Sequence, residues 1–184
     1  MRPQTIDDLP LVDALSGVFS RFGYEGANLN RLAEASGLKR ASLYHRFPGG
    51  KDEIVAAVVG RAAQRFEKLL APAFESGDPI ERAERVAGGI SAYYEKGARS
   101  CLIVALSVAD EEHQAGAVSC VDAWAEAFTQ IAVDAGSNVK IAEMTALDAV
   151  AAIEGALVIS ATTGQTGPFE RTLASLPARL TNTP

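Results

Sequence analysis

Six side chains between positions 39 and 51 are equipped to hold a nucleic acid: Lys39, Arg40, Ser42, Tyr44, His45 and Lys51. Arg40 and Ser42 carry donors that can read base edges. Lys39, Tyr44, His45 and Lys51 are suited to phosphate oxygens, which position a protein on a duplex without reading its sequence. Leu43 and Phe47 stand four residues apart and turn to one side, so the residues between them project to the other. Arg46 is as well placed to brace the domain as to reach a ligand.

These side chains need a scaffold, and the flanking residues supply one. Asn28 can cap a short helix in which Leu29, Leu32 and Ala33 face inward. Ser36-Gly37-Leu38 then forms a tight turn, with Gly37 providing the positive φ it requires. A second short helix carries Lys39, Arg40, Ser42, Tyr44 and His45 as far as Pro48-Gly49-Gly50, and Lys51 stands at the start of the next helix. Two short helices around such a turn make a helix-turn-helix, a device that lays its second helix in the major groove of duplex DNA.

The net charge of −6 over 184 residues at first disfavours that partner. Its distribution reverses the impression. Residues 21 to 51 hold six Lys/Arg against Glu25 and Glu34, a balance of +4, so the remainder carries −10. A basic end on an acidic body fits a protein that meets phosphate with one face only. The 48% hydrophobic content is that of a globular chain. Asp7, Asp8 and Pro10 stand where a signal peptide would need positive charge followed by an apolar stretch. Cys101 and Cys120, without a CxxC or a suitably spaced His, fit a reduced, cytoplasmic protein.

Apolar residues recur at spacings of three and four throughout, and alternating β-branched runs are missing, so the spacing predicts an all-α fold. A first helix follows Asp8 as its cap, with a stripe of Leu11, Leu15, Val18, Phe19 and Phe22, and ends at Gly23 and Gly26. Beyond the helix-turn-helix, helices are expected over residues 52–71, 79–96, 101–108, 114–135, 139–163 and 168–180. This divides the chain into a three-helix DNA-binding domain (1–50) and a larger helical ligand-binding and dimerisation domain (51–184).

Leu32-Ala33-Glu34-Ala35-Ser36-Gly37-Leu38, with Leu43-Tyr44-His45-Arg46-Phe47-Pro48-Gly49-Gly50-Lys51, resembles the DNA-binding domain of the TetR family of transcriptional repressors. The Phe47-Pro48-Gly49-Gly50-Lys51 segment is similar to the branch that includes the regulators of lincomycin and flavonoid response. The resemblance extends more weakly through Ser100 to Ala105 and Ile153 to Leu157. It implies a homodimeric, ligand-responsive repressor that leaves a palindromic operator when a small, largely apolar molecule binds. Two positions depart from the family pattern. Lys39 stands where a Ser or Thr usually caps the recognition helix, and it cannot accept the helix N–H bond. Ala27-Asn28 replaces the usual Thr-Thr, leaving Asn28 as the polar residue on the DNA-facing side.

In the body, the resemblance would place Tyr93, Tyr94, Trp124 and Phe128 around the effector, with Phe66, Phe74 and Met144 as further wall residues. Taken one by one, these aromatics read better as ordinary core. Val150, Ile153, Leu157 and Ala161, with Leu173 and Leu176 on the last helix, follow the spacing of a packing seam. The resemblance makes that seam a four-helix dimer interface; otherwise it closes the monomer's own core. Glu154 reads as hydrogen-bonded within the packing.

An enzyme would need a nucleophile with its base, a metal set or a phosphate loop, and no such motif occurs. Asp110-Glu111-Glu112-His113 offers carboxylates beside an imidazole, but adjacent helix positions diverge and cannot converge on one ion. No catalytic residue, metal, cofactor or membrane partner is expected.

Overall fold

The computed structural model describes residues 8–102 and 111–182. Among the described residues eight α-helices run in order: α1 (Asp8–Gly26), α2 (Leu29–Ser36), α3 (Arg40–Arg46), α4 (Gly50–Leu70), α5 (Pro79–Tyr93), α6 (Glu111–Asp134), α7 (Val139–Thr163) and α8 (Gly167–Thr181). Two single turns of 3₁₀ helix, Ala71–Phe74 and Glu95–Gly97, follow α4 and α5. No strand occurs among the described residues. Most of the helix expected over 101–108, together with Asp110 and the side chains of Glu111, Glu112 and His113, lies outside the described residues.

The chain forms two compact units. The first holds residues 8–65, Leu102 and 111–117; the second holds 66–101 and 118–182. The division therefore falls inside α4 and not at residue 50, because α4 is one continuous helix whose first half buries Ile54, Val55 and Val58.

In the first unit α1 contributes Val12, Leu15, Val18 and Phe19 to the core. The expected stripe needs correction at its ends. Leu11 is only half-buried, Val12 takes a core position, and Phe22 is 40% exposed. Gly23, with φ 66° and ψ 179°, breaks the helix immediately after Phe22. Asp13 on α1 accepts from Arg61 Nε at 3.3 Å and Arg65 Nη1 at 3.1 Å, tying α1 to α4 through one carboxylate.

In the second unit Asp78 caps α5, its Oδ1 accepting from the Ile80 N–H at 2.8 Å, and Pro79 takes the first helical position, where no donor is needed. Arg82, buried on α5, donates to the Ala73 and Glu75 carbonyls and to Asp134 at the end of α6. Helix α7 is long and apolar enough to cross a bilayer by length and composition. Here its Ala142, Ala146, Ala149, Val150, Ile153, Ala156 and Leu157 are buried, and it packs against α8, which buries Phe169, Leu173, Leu176 and Leu180.

Candidate nucleic-acid interface

Helices α2 and α3 are each too short to stand alone in water and depend on the packing of their apolar faces. Leu32 and Ala33 on α2 and Leu43 and Phe47 at α3 are buried, fixing the rotation of both helices. Asn28 caps α2: its Oδ1 accepts from the backbone N–H of Asn30 and of Arg31, both at 3.1 Å. The side-chain oxygen is thus engaged within the protein. Gly37 closes the helix in the left-handed region (φ 67°, ψ 9°), its N–H donating to Glu34 O, while the Leu38 N–H donates to Ala33 O at 3.2 Å. That closure aims α3 away from α2.

Lys39 occupies the cap position of α3 with extended backbone and makes no side-chain cap bond. Its side chain points to solvent, as do Arg40, Ala41, Ser42, Tyr44, His45 and Arg46. Only Leu43 is buried within α3 itself. The six chemistry-bearing residues therefore share one module, and five of them lie on the exposed surface of α3 or its cap. Lys51, the sixth, starts α4, where Gly50 (φ 71°) reverses the chain and Glu53 Oε2 accepts from the Gly49 N–H at 2.7 Å.

Two aromatic residues at the end of α1, Phe22 expected only as core and Tyr24 not singled out, meet cations that sequence reasoning missed. The ring of Phe22 lies beneath the guanidinium groups of Arg31 (4.3 Å to the centroid) and Arg21 (5.3 Å), and Arg31 Nη1 also donates to Gly26 O at 2.7 Å. The ring of Tyr24 lies beneath Lys51 Nζ, 3.8 Å from the centroid, and the Tyr24 hydroxyl donates to Asp52 Oδ1. No local periodicity announces the pairs Arg31–Phe22 and Lys51–Tyr24, because those partners come from helices separated along the chain.

The aromatic residues of the second unit do assemble. Trp124 contacts Phe66, Tyr94 and Phe128 with centroids at 5.4, 6.4 and 5.9 Å, and Tyr93 meets Tyr94 edge-to-face at 4.9 Å and Phe66 at a tilt at 4.8 Å. Phe169, absent from the sequence-based set, packs on Tyr94 at 6.0 Å. Phe74 and Met144 are 52% and 63% exposed and belong to the surface, not to any wall of this cluster. Polar atoms thread the rings: the Tyr94 hydroxyl lies 3.4 Å from Cys101 Sγ, which donates to Glu154 Oε1 at 3.3 Å. Glu154 Oε2 and the Trp124 indole N–H are buried without a hydrogen-bond partner among the described residues. Burial pushes the Glu154 carboxyl up and holds the Tyr94 hydroxyl well above its ordinary range. An open groove of about 410 Å³ elsewhere on this unit is lined by Ser91 of α5, Lys96 of the following 3₁₀ turn and Glu170 of α8, among others, and by none of the four expected effector residues.

The expected dimer residues also need correction. Val150, Ile153, Leu157, Leu173 and Leu176 are buried within their own chain, so they are unavailable to a second copy; Ala161 alone of the six is exposed. Because α7 is apolar on every side, spacing by itself does not say which face turns inward. The outward face carries Met144, Leu147, Ala151, Gly155, Val158 and Thr162.

A three-helix module with a capped α2, a left-handed glycine turn and an exposed cationic α3, attached to an all-helical body, defines a helix-turn-helix regulator. Residues 11–58 match the family described as bacterial regulatory proteins of the tetR family, and residues 79–175 match the C-terminal domain of LmrA/YxaF-like transcriptional regulators. The chain belongs to the TetR family of DNA-binding transcriptional regulators, which are not enzymes. It is 24% identical over 174 residues to the HTH-type transcriptional regulator LmrA of Bacillus subtilis, covering 91% of this chain and 93% of that protein. Among solved structures it is similar to a TetR regulator from Legionella pneumophila (TM-score 0.81, 16% identity, 97% and 98% of the two chains). It is also similar to a TetR-like regulator from Rhodococcus sp. RHA1 (TM-score 0.71, 25% identity, 97% of each chain).

Proposed function

We propose that the protein is a homodimeric repressor of the cytoplasm that leaves a palindromic operator when a small, largely apolar molecule enters its helical body. The observation that carries this reading is the outward face of α3, where Arg40, Ser42, Tyr44 and His45 are exposed and Leu43 alone is buried. Arg40 and Ser42 read base edges; Lys39, Tyr44, His45 and Lys51 hold phosphates, and the Asn28 side-chain amide is left to face the backbone of the duplex. The dimer forms through the exposed apolar stripe of α7, at Met144, Leu147, Ala151, Gly155, Val158 and Thr162, whose spacing of three and four suits helix packing. Two-fold symmetry of that dimer matches two half-sites on DNA. The effector is held among Tyr93, Tyr94, Trp124 and Phe128, whose rings supply the apolar surface that small-molecule sites use.

Titration of a duplex from the region upstream of the protein's own gene, at several salt concentrations, tests the DNA reading. Tighter binding than to random-sequence duplex is expected at every salt; equal affinity throughout would sink it. Trp124 is the chain's one tryptophan, so its fluorescence reports directly on the aromatic cluster. An apolar compound that shifts this emission must also weaken operator binding, and operator must weaken the compound by the same factor.

A further inference from the structure

Helix α4 opens with two opposite charges side by side, Lys51 and Asp52, and the same tyrosine engages both. Tyr24 presents its ring face to the Lys51 ammonium at 3.8 Å from the centroid and donates its hydroxyl to Asp52 Oδ1. The two contacts act on the helix start in opposite senses. An aromatic face attracts a cation through its quadrupole and fixes the flexible lysine stem, yet it adds no counter-charge and accepts none of the strong N–H bonds. A carboxylate in the same place would fix the lysine equally well and neutralise it. Asp52 is the carboxylate next along the chain, and the Tyr24 hydroxyl holds it. Glu53, the next, is engaged by the Gly49 N–H at 2.7 Å. Lys51 is thereby half-buried and oriented, with an aromatic face in place of a counter-charge beneath its ammonium.

We propose that Tyr24 is a positioning residue for duplex binding: its ring sets the Lys51 ammonium where a DNA phosphate docks, and its hydroxyl keeps Asp52 from pairing with that ammonium. This rests on the reading of Lys51 as a phosphate contact. Gly23 makes the arrangement possible, because the break in α1 at that residue immediately precedes Tyr24.

The test compares Tyr24→Leu, Tyr24→Phe, Lys51→Ala and the double variant Tyr24→Leu/Lys51→Ala on random-sequence duplex, since a phosphate contact acts on any sequence. Lys51→Ala lowers the slope of log affinity against log salt by about 1. Tyr24→Leu weakens binding about twofold to fivefold and moves the slope toward that of Lys51→Ala. Tyr24→Phe keeps the ring, so it retains most of the slope while losing part of the affinity through the released Asp52. The double variant binds no more weakly than Lys51→Ala. If Tyr24→Leu costs the same factor with and without Lys51, Tyr24 acts elsewhere and the proposal fails. An NMR readout on the unsubstituted protein guards against a variant that does not fold. The Lys51 Hε protons should show an upfield ring-current shift, and random-coil values for them would overturn the arrangement. Should the wild-type chain bind no duplex while that shift is present, it is the phosphate reading of Lys51 that falls.

Discussion

Arg82 Nη2 on α5 lies 2.7 Å from Asp134 Oδ2 at the end of α6, while Arg82 Nη1 reaches the carbonyls of Ala73 and Glu75. One buried guanidinium therefore pins the 3₁₀ turn, α5 and α6 together. Arg82→Met keeps much of the stem's volume but strands the two carbonyls and leaves Asp134 with Gln130 as its donor. A loss of about 2 kcal/mol is expected, read as a lowered midpoint in denaturant unfolding. The hydrogen bond from Gln130, followed by that from Arg82, holds the Asp134 carboxyl below its ordinary value of 3.8. A depressed carboxylate contributes stability that is present above the ordinary value and disappears as pH falls through the native one. Arg82→Met should accordingly flatten the acid limb of stability against pH; an unchanged limb would count against the pair.

Glu154 has the opposite sign. Burial raises its carboxyl above the ordinary 4.5, so the folded protein binds a proton more tightly than the unfolded chain. That contribution is fully present below the ordinary value and is lost as pH rises through the native one. Glu154→Gln keeps the shape and removes the titration. The variant should gain stability relative to wild type as pH rises from acid toward neutrality, with little difference at the acid end. Thermal melting across that range measures it, and parallel curves would show that Glu154 does not titrate differently in the fold.

The turn between α2 and α3 depends on one backbone conformation. Gly37 has φ 67°, and nothing lies within 4 Å of an added Cβ, so a substitution there meets backbone strain and no clash. Gly37→Ala should cost about 1–2 kcal/mol, and Gly37→Asn less, since asparagine tolerates the left-handed region. Chemical denaturation followed by circular dichroism decides between them. Equal effects would mean that the strain is relieved by movement of the turn.

Lys39 sets charge against capping. Lys39→Ser supplies the missing acceptor at the start of α3 and should stabilise the fold by about 1 kcal/mol. The same change removes a cation from the duplex-facing surface and should lower the salt slope of DNA binding by about 1. A more stable protein with weaker non-specific binding is the expected pair of results from melting and salt titration. A variant that gains stability with an unaltered slope would remove Lys39 from the phosphate contacts.

The outward face of α7 makes the dimer testable. Leu147 is 55% exposed and Val158 is 49% exposed, both on the stripe proposed to meet a second copy. Leu147→Lys/Val158→Lys introduces unpaired like charges into that seam while leaving the buried face intact. Sedimentation should show a monomer with unchanged helicity. A dimer that persists would move the interface elsewhere.

Much of this architecture was already written in the order of residues. The helix over residues 139–163, the glycine turn at Gly37, the Asn28 cap and the uncapped Lys39 follow from rules that act within a few positions: apolar spacing, φ preference and the reach of a short side chain. The exposed face of α3 follows as well, because Leu43 and Phe47 are the apolar positions that α3 and its cap have to bury. What the sequence left open depended on partners distant along the chain. Helix α7 is apolar all round, so only packing against α8 could decide that Val150, Ile153 and Leu157 go inside while Leu147 and Val158 stay out. Tyr24 meets Lys51 and Arg82 meets Asp134 because tertiary contacts bring separate helices together. Local propensity fixes where helices start and stop. Which faces they hide, and which charges they hold in place, is settled by the competition for burial in the folded chain.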